Sequence, residues 1–493
     1  MSLNTIKNMH DILLHIEHSS DDVPFIQYLI RRNLVNMSSD EFLNEVKKVS
    51  AMLLNENLQK KHIGIIGRNS AEWLIVFCAI ANIGSTAVLM NPDLNEREIE
   101  RAMKQTDVSA LFFDIDLEAR IKEATKDMND PIFCIQEKLN QKDYITIQSS
   151  DADLEDIMCI LYTSGTTGEE KAVMLSNRAV IAGIHHYLTT VLKETAVHLT
   201  VMPLHHAGAL FTSLAILFKD NCTLGIIDGP MKLKRGLEQI KPNSLFAVPS
   251  LLQAIEHEFN KKKENVSSSA MGESLRWIVC GGAQLPTDLI PTFRKKQIAV
   301  FNIYGATEST VGVIIHEATK ESPNSLGKPQ NAEVKIENGE LLLRGRTIMT
   351  GYYKNPEATE EALKDGWYHT GDLAAVDENG YYYLTGRKKN LIILSNGENI
   401  SPEELEGNLS LSPDISEVIV KEHQDKLWAV IWPNYQDECT EKEKSIIRQR
   451  IHNFVSEYND QMPTYKQVYD LYFWQSPLPK SATGKIVRNQ IRI

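Results

Sequence analysis

From His62 onward the chain reads as apolar runs separated by helix-like stretches. His62-Ile63-Gly64-Ile65-Ile66-Gly67, Thr86-Ala87-Val88-Leu89-Met90 and Val108-Ser109-Ala110-Leu111-Phe112-Phe113 are continuous apolar runs rather than alternating ones. That is the pattern of strands covered on both faces of a parallel sheet. A helical stretch opened by Asn69 or Ser70 separates the first two runs, and Asn95, followed three residues later by Glu98, predicts a capped helix before the third. The order β-α-β-α-β results, and the same punctuation continues to about residue 305, with strands near 157–162, 199–202, 222–227, 245–248, 276–280 and 298–303.

Beyond residue 330 the grammar changes. Val334-Lys335-Ile336-Glu337 and Glu340-Leu341-Leu342-Leu343 flank Asn338-Gly339, and Asn379-Gly380 precedes Tyr381-Tyr382-Tyr383. Asn-Gly favours tight hairpin turns, so this part is antiparallel β. From Gly386 the chain suggests a helix capped at Ser401-Pro402, strands near 415–420 and 427–432, a polar amphipathic helix over 441–458 and a strand near 468–473. The expected fold is α/β: a large N-terminal domain of stacked α/β sheets over 1–386, with a small antiparallel β subdomain at about 330–386. A small mobile α+β C-terminal domain follows over 387–493. A length of 493 residues suits roughly three structural units.

Two uncharged stretches, Trp73–Pro92 and Ala196–Phe218, are long enough to cross a bilayer. Asn82, Gly84, Ser85 and Thr86 break the first, and Pro203, His205, His206 and Gly208 break the second, so each reads as a buried helix plus a buried strand, without stable membrane insertion. A net charge of −13 disfavours nucleic acid as a main partner, though a local cationic pocket for a small anion is compatible with it. Six scattered cysteines without a CxxC, and an N-terminus bearing Asp11, Glu17, Asp21 and Asp22, fit a reduced cytoplasmic setting with no export signal.

Three of the predicted strands run into unusual loops. Ile157–Tyr162 leads into Thr163-Ser164-Gly165-Thr166-Thr167-Gly168, Arg276–Cys280 into Gly281-Gly282-Ala283, and Ile298–Ile303 into Tyr304-Gly305-Ala306-Thr307-Glu308. Ligands of open α/β sheets bind outside the carboxyl ends of strands, so such loops can converge on one ligand. The first offers backbone N–H groups, hydroxyls and Lys171, the equipment for wrapping phosphate oxygens. It is not a P-loop of the G-x-x-x-x-G-K-[ST] kind, because Lys171 lies three residues past Gly168 and no Ser or Thr follows it. Taken alone, it reads equally well as a Ser/Thr/Gly turn.

Tyr162-Thr163-Ser164-Gly165-Thr166-Thr167-Gly168 with Lys171 resembles the signature loop of the adenylate-forming enzymes: acyl-CoA and aryl-CoA synthetases, luciferases and peptide-synthetase adenylation domains. Tyr304-Gly305-Ala306-Thr307-Glu308, Tyr368-His369-Thr370-Gly371-Asp372, Gly386-Arg387-Lys388-Lys389 and Pro479-Lys480-Ser481-Ala482-Thr483-Gly484-Lys485 are similar to the family's later motifs, in its order. The resemblance implies an ATP-dependent ligase. A carboxylate attacks the α-phosphate of Mg-ATP, releasing pyrophosphate, and a thiol then displaces AMP from the acyl-adenylate.

It further implies roles for individual residues. Lys485 bridges carboxylate and α-phosphate, Glu308 holds Mg²⁺, and Thr307 contacts the α-phosphate. Thr163, Ser164, Gly165, Thr166, Thr167, Gly168 and Lys171 wrap the phosphates, while Gly281, Gly282, Ala283, Asn302, Tyr304, Gly305 and Ala306 frame the nucleotide. Asp372 and Arg387 hold the ribose hydroxyls. His206 stands between the acid pocket and the thiol tunnel, although a lone histidine is more often a core residue. Lys389 marks a hinge about which the small domain rotates to bring Ser395–Asn399 to the thiol.

The chain also departs from the family pattern. Glu169 and Glu170 replace a small residue and proline, Ala172 replaces a glycine, and Ile392–Gly397 is one residue longer than in many acyl-CoA synthetases. One added charge at ~10 Å in water costs about 0.4 kcal/mol per phosphate charge, so weaker ATP affinity rather than inactivity is expected.

Three functions compete. In the first, coenzyme A accepts the acyl group. The second is a stand-alone enzyme loading the phosphopantetheine of a carrier protein, and the third, a catalytically silent adenylate binder, is disfavoured by the presence of Lys485, Glu308 and Asp372. The small, mostly apolar segments 208–218, 249–252 and 310–313 suit an aromatic or medium-to-long aliphatic acid better than a strongly charged one. The oligomeric state stays open, with a homodimer among the alternatives.

Overall fold

The computed structural model describes residues 5–18, 23–138, 152–163, 170–261, 274–285, 287–319, 322, 324–330, 332–395, 398–435, 439–480 and 486–493. The chain divides into two compact units, residues 1–334 with 343–368 and residues 335–342 with 369–493.

In the first unit, strands β1 (Ile26–Ile30), β2 (Asn33–Met37), β3 (His62–Ile66), β4 (Thr86–Met90), β5 (Val108–Phe113), β6 (Ile132–Cys134), β7 (Ile157–Thr163), β8 (Lys171–Ser176), β9 (Val197–Thr200) and β10 (Thr223–Ile226) are followed by β11 (Ser244–Ala247), β12 (Trp277–Gly281), β13 (Ala299–Gly305), β14 (Gly312–Glu317) and β15 (Lys328–Pro329). They build two sheets. A nine-stranded one runs β15-β14-β13-β12-β11-β9-β10-β1-β2, and a seven-stranded one runs from Gly351–Tyr352 through β8-β7-β4-β3-β5-β6. The continuous apolar strands pair in parallel as their pattern predicts, β3 with β4 and β5, and β12 with β11 and β13. Antiparallel strands enter where short connections allow them, at β7–β8 and β13–β14.

Both membrane-length stretches resolve as buried helices with neighbouring strands. In Ala71–Asn82 every residue but Glu72 is buried, and β4 follows. Among the described residues no helix is long and apolar enough to cross a membrane. Ser70 is the N-cap, its Oγ accepting from Trp73 N. Asn69 is spent elsewhere: its Nδ2 donates to Met202 O (2.9 Å) and its Oδ1 accepts from Leu204 N (2.8 Å), which pins the turn leading to His206. The Asn95–Glu98 capping box forms as read.

The β1–β2 hairpin gives no signal in the sequence. Arg31 adopts φ 55° in its two-residue turn, a conformation that Asn or Gly would normally supply. All six cysteines are free, five of them buried and Cys439 partly exposed. Burial raises the thiols of Cys78 and Cys159 far above their ordinary value and that of Cys280 to about 12.

The second unit holds a three-stranded sheet in which Lys426–Pro433 lies between Ile415–His423, antiparallel to it, and Val468–Phe473, parallel to it. Helices Pro402–Leu409 and Glu441–Asp460 contribute Leu405, Leu409, Ile451 and Val455 to its core, beside Val418, Val420, Ala429 and Ile431. Asn338 and Gly339 both take positive φ, as the predicted tight turn requires.

Candidate active site

The β13–β14 connection carries the densest set of expected residues. Register shifts between Tyr304 and Gly305, where Gly305 faces Gly312. A Cβ at residue 305 would lie 2.3 Å from Val311 O, so the close approach of the two backbones requires glycine. Thr307–Ser309 then form a 3₁₀ turn, with Ser309 Oγ accepting from Ala306 N (2.9 Å). Thr310 follows at φ 63°, ψ −47°, and Val311 N donates to Ser309 O across it (2.6 Å). This is a γ-turn of the rare positive-φ kind, strained for a β-branched residue. The fully buried Thr310 is held there by its hydroxyl, which donates to Thr347 O (2.6 Å).

That turn presents Glu308. Its carbonyl accepts from Met349 N (2.8 Å), and its carboxylate Oε1 accepts from the hydroxyl of Tyr352 (2.9 Å). Burial, then the charge of Glu308, pushes the Tyr352 phenol above its ordinary value, so it stays a donor. Lys171 Nζ lies 4.7 Å from the centre of the same ring. Glu308 and Lys171, predicted from separate motifs, thus meet on Tyr352, which the sequence reading passed over.

Lys171 begins β8, paired with Thr163 at the end of β7. The loop between them is therefore a hairpin loop rather than the strand-to-helix turn of a P-loop. Its residues Ser164, Gly165, Thr166, Thr167 and Gly168, with Glu169, lie outside the described residues. Tyr162 anchors the stem by donating to Ala102 O (2.8 Å). Ala172, which departs from the family's glycine, is buried and packs in the apolar core with Met90 and Ile160. Burial and the neighbouring Glu98 raise the Glu170 carboxyl above its ordinary value.

Next to β13, β12 ends in Gly281-Gly282-Ala283. Gly282 takes φ +83°, and Gly282 and Ala283 are exposed, leaving an open shelf at the strand's carboxyl end. Asn302 is buried and its Nδ2 donates to Ser325 O (2.9 Å), which commits that amide to the backbone; Tyr304 beside it is also buried. His206 is the N-cap residue of helix Ala207–Leu217 and its ring lies 4.2 Å from that of His205. Burial first, then His206, lowers the His205 ring well below its ordinary value. Replacing Gly312 by alanine would place a Cβ 1.9 Å from Ile303 Cγ1. The variant should lose about 1–3 kcal/mol, read as a lower Tm in a thermal-shift assay.

In the second unit Asp372 and Arg387 face each other across paired strands, with Arg387 Nε 2.8 Å from Asp372 Oδ1. Asp372 is buried while Arg387 is half-exposed. Gly371 before it takes φ +69° and donates its N–H to Glu340 Oε1 (3.0 Å). Glu340, also missed in the sequence, is a buried carboxylate bonded by Lys388 Nζ (3.0 Å). Burial works to raise its carboxyl, but Lys388 and the Gly371 amide outweigh it and hold the group below its ordinary value. Lys389 lies in the 3₁₀ turn Lys388–Asn390. Lys485 lies outside the described residues, as do Asn396 and Gly397 of the Ser395–Asn399 loop.

The fold is α/β with a small α+β domain, and its strand-end loops carry the residues expected of a nucleotide-handling enzyme. The AMP-binding enzyme profile matches residues 17–353 and the AMP-binding enzyme C-terminal domain matches 389–492, so the chain belongs to the AMP-binding enzyme family. Among curated relatives, a 2-succinylbenzoate-CoA ligase of Bacillus cereus (strain Q1) is 27% identical over 495 residues, covering 94% of this chain and 98% of the relative. A long-chain-fatty-acid-CoA ligase of Mycobacterium bovis is 26% identical, covering 82% and 78%. Among solved structures, O-succinylbenzoate coenzyme A synthetase of Bacillus subtilis in complex with AMP superposes with a TM-score of 0.84 at 22% identity over 99% of both chains. The same enzyme with ATP and magnesium gives 0.83 at 23% identity, over 98% of this chain and 99% of that one. The superpositions establish the adenylate-forming fold.

Proposed function

We propose that the protein is an ATP-dependent carboxylic acid-CoA ligase. The observation that carries this reading is the family match across both parts of the chain, supported by full-length relatives that are acid-CoA ligases. In the first step a carboxylate oxygen bonds to the α-phosphorus of ATP and pyrophosphate leaves. In the second the coenzyme A thiol, losing its proton, bonds to the acyl carbon and AMP leaves.

Among the described residues no group of three or more His, Cys, Asp or Glu side chains is placed to hold a metal. A single oriented carboxylate suits Mg²⁺, which takes few protein ligands and completes its shell with water and phosphate oxygens. Glu308 fits that need, and bound Mg²⁺ supplies neutralisation of the phosphate charge. Lys171 and the 163–168 loop hold phosphate oxygens, Thr307 the α-phosphate, and Asp372 with Arg387 the ribose hydroxyls. Lys485 stabilises the charge developing between acid and phosphate, and Lys389 serves as the hinge. The acid is aromatic or medium-to-long aliphatic, in keeping with apolar Leu210, Val311 and Val313 in the candidate acid-binding segments. The setting is cytoplasmic.

The test is pyrophosphate release with Mg-ATP across aryl, medium-chain and long-chain acids, with and without coenzyme A. An acid that supports release, turned over to a thioester when coenzyme A is added, is the expected result. A single burst that coenzyme A does not relieve would move the acceptor to a carrier protein.

A further inference from the structure

We propose that Tyr352 is a positioning residue that serves the metal carboxylate and the loop lysine at once, its hydroxyl orienting Glu308 and its ring seating Lys171. The inference rests on the reading of Glu308 as the Mg²⁺ ligand. Tyr352 belongs to the short strand Gly351–Tyr352, which pairs with β8 at Met174 and Val173. Thr350 N donates to Met174 O (2.9 Å) and Tyr353 N to Ala172 O (2.8 Å), so the segment is zipped to the strand that Lys171 begins.

At its other end the same segment is stapled to the Glu308 turn, through Met349 N to Glu308 O (2.8 Å) and Thr310 Oγ1 to Thr347 O (2.6 Å). Tyr352 N donates to Thr359 Oγ1 (2.9 Å), and a Cβ at Gly351 would lie 2.7 Å from Thr359 Cγ2, so the backbone that aims the ring is closely fixed. The ring is buried, yet its one polar atom is spent on a carboxylate and its face on an ammonium. Packing alone would be met by phenylalanine. The hydroxyl fixes the orientation of the Glu308 carboxylate, and the ring attracts the Lys171 cation.

The two contacts separate by substitution. Tyr352→Phe keeps the ring and removes one oxygen; Tyr352→Leu removes both contacts. Mn²⁺ is titrated against the protein with α,β-methylene-ATP and followed by electron paramagnetic resonance, and ATP binding in EDTA is measured by calorimetry. Tyr352→Phe should weaken Mn²⁺ binding about 10-fold or more, the range for a lost hydrogen bond to a charged group, with metal-free ATP affinity unchanged. Tyr352→Leu should also weaken metal-free ATP binding by about 2–30-fold through the lost ring-cation contact. A purely structural role would lower both affinities together in Tyr352→Phe, with a fall in Tm, and would overturn the proposal, as would wild-type Mn²⁺ binding by that variant. Glu308→Gln separates the two levels of inference. If it weakens Mn²⁺ binding while Tyr352→Phe does not, only the role of Tyr352 falls; if Glu308→Gln also binds Mn²⁺ normally, the metal assignment falls with it.

Discussion

Replacing Lys485 by alanine should slow acid-dependent pyrophosphate release by about 10²–10³-fold while leaving ATP binding largely intact, the loss typical of removing one donor aimed at charge that develops only in the transition state. The variant should remain folded, because the stems of its loop are secured independently of the lysine. Lys480 and Ile486 form a β-bridge, Val487 N donates to Pro479 O (2.8 Å), and Lys480 pairs with Glu417. Leu478 and Ile491 are buried on either side, packed with Ile419 and Val430. Single-turnover measurement of pyrophosphate beside calorimetric ATP binding checks the prediction. Normal release by Lys485→Ala would remove the mechanistic assignment.

Asp372→Ala should raise the KM for ATP by about 10–100-fold, since hydrogen bonds to a charged group contribute about 1.5–3 kcal/mol and each 1.4 kcal/mol is a factor of ten. The wild type should prefer ATP to 2′-deoxy-ATP, and the variant should lose that preference. Stability separates the two partners. Asp372→Ala leaves Arg387, already half-exposed, to water, whereas Arg387→Ala strips a buried carboxylate of its ion pair and should cost about 1–3 kcal/mol. Paired KM and Tm measurements on both variants make the comparison.

Much of the parallel scaffold was legible because its signals are local. Continuous apolar runs gave β3, β4 and β5, and Asn95 with Glu98 gave a helix start that the structure reproduces. Other features depend on partners distant in sequence. Asn69 and Ser70 were equal candidates for an N-cap, and the choice fell to Ser70 because Asn69 is engaged with Met202 and Leu204. The β1–β2 hairpin was hidden because Arg31 takes the left-handed turn position without turn chemistry to announce it.

At the candidate site, motif order named Glu308 and Lys171, but nothing local showed that they share Tyr352. The run Gly351-Tyr352-Tyr353 reads as packing until its pairing with β8 is known. Thr310 runs against its own propensity, its strained turn being imposed by tertiary hydrogen bonds rather than by residue type. Ala172, where the family has a glycine, is likewise explained by tertiary surroundings, since its methyl is buried in the apolar core.

The buried cysteines acquire a chemical meaning from the proposed reaction. An acyl-adenylate is a mixed anhydride, open to attack by any thiolate within reach, and only the thiolate form of cysteine is a competent nucleophile. Cys280 immediately precedes the Gly281-Gly282 shelf, yet it is fully buried and its thiol is held at about 12. Cys78 and Cys159 are likewise kept protonated by burial. Burial thus withdraws these three thiols, Cys280 beside the shelf included, from the thiolate chemistry that an acyl-adenylate invites.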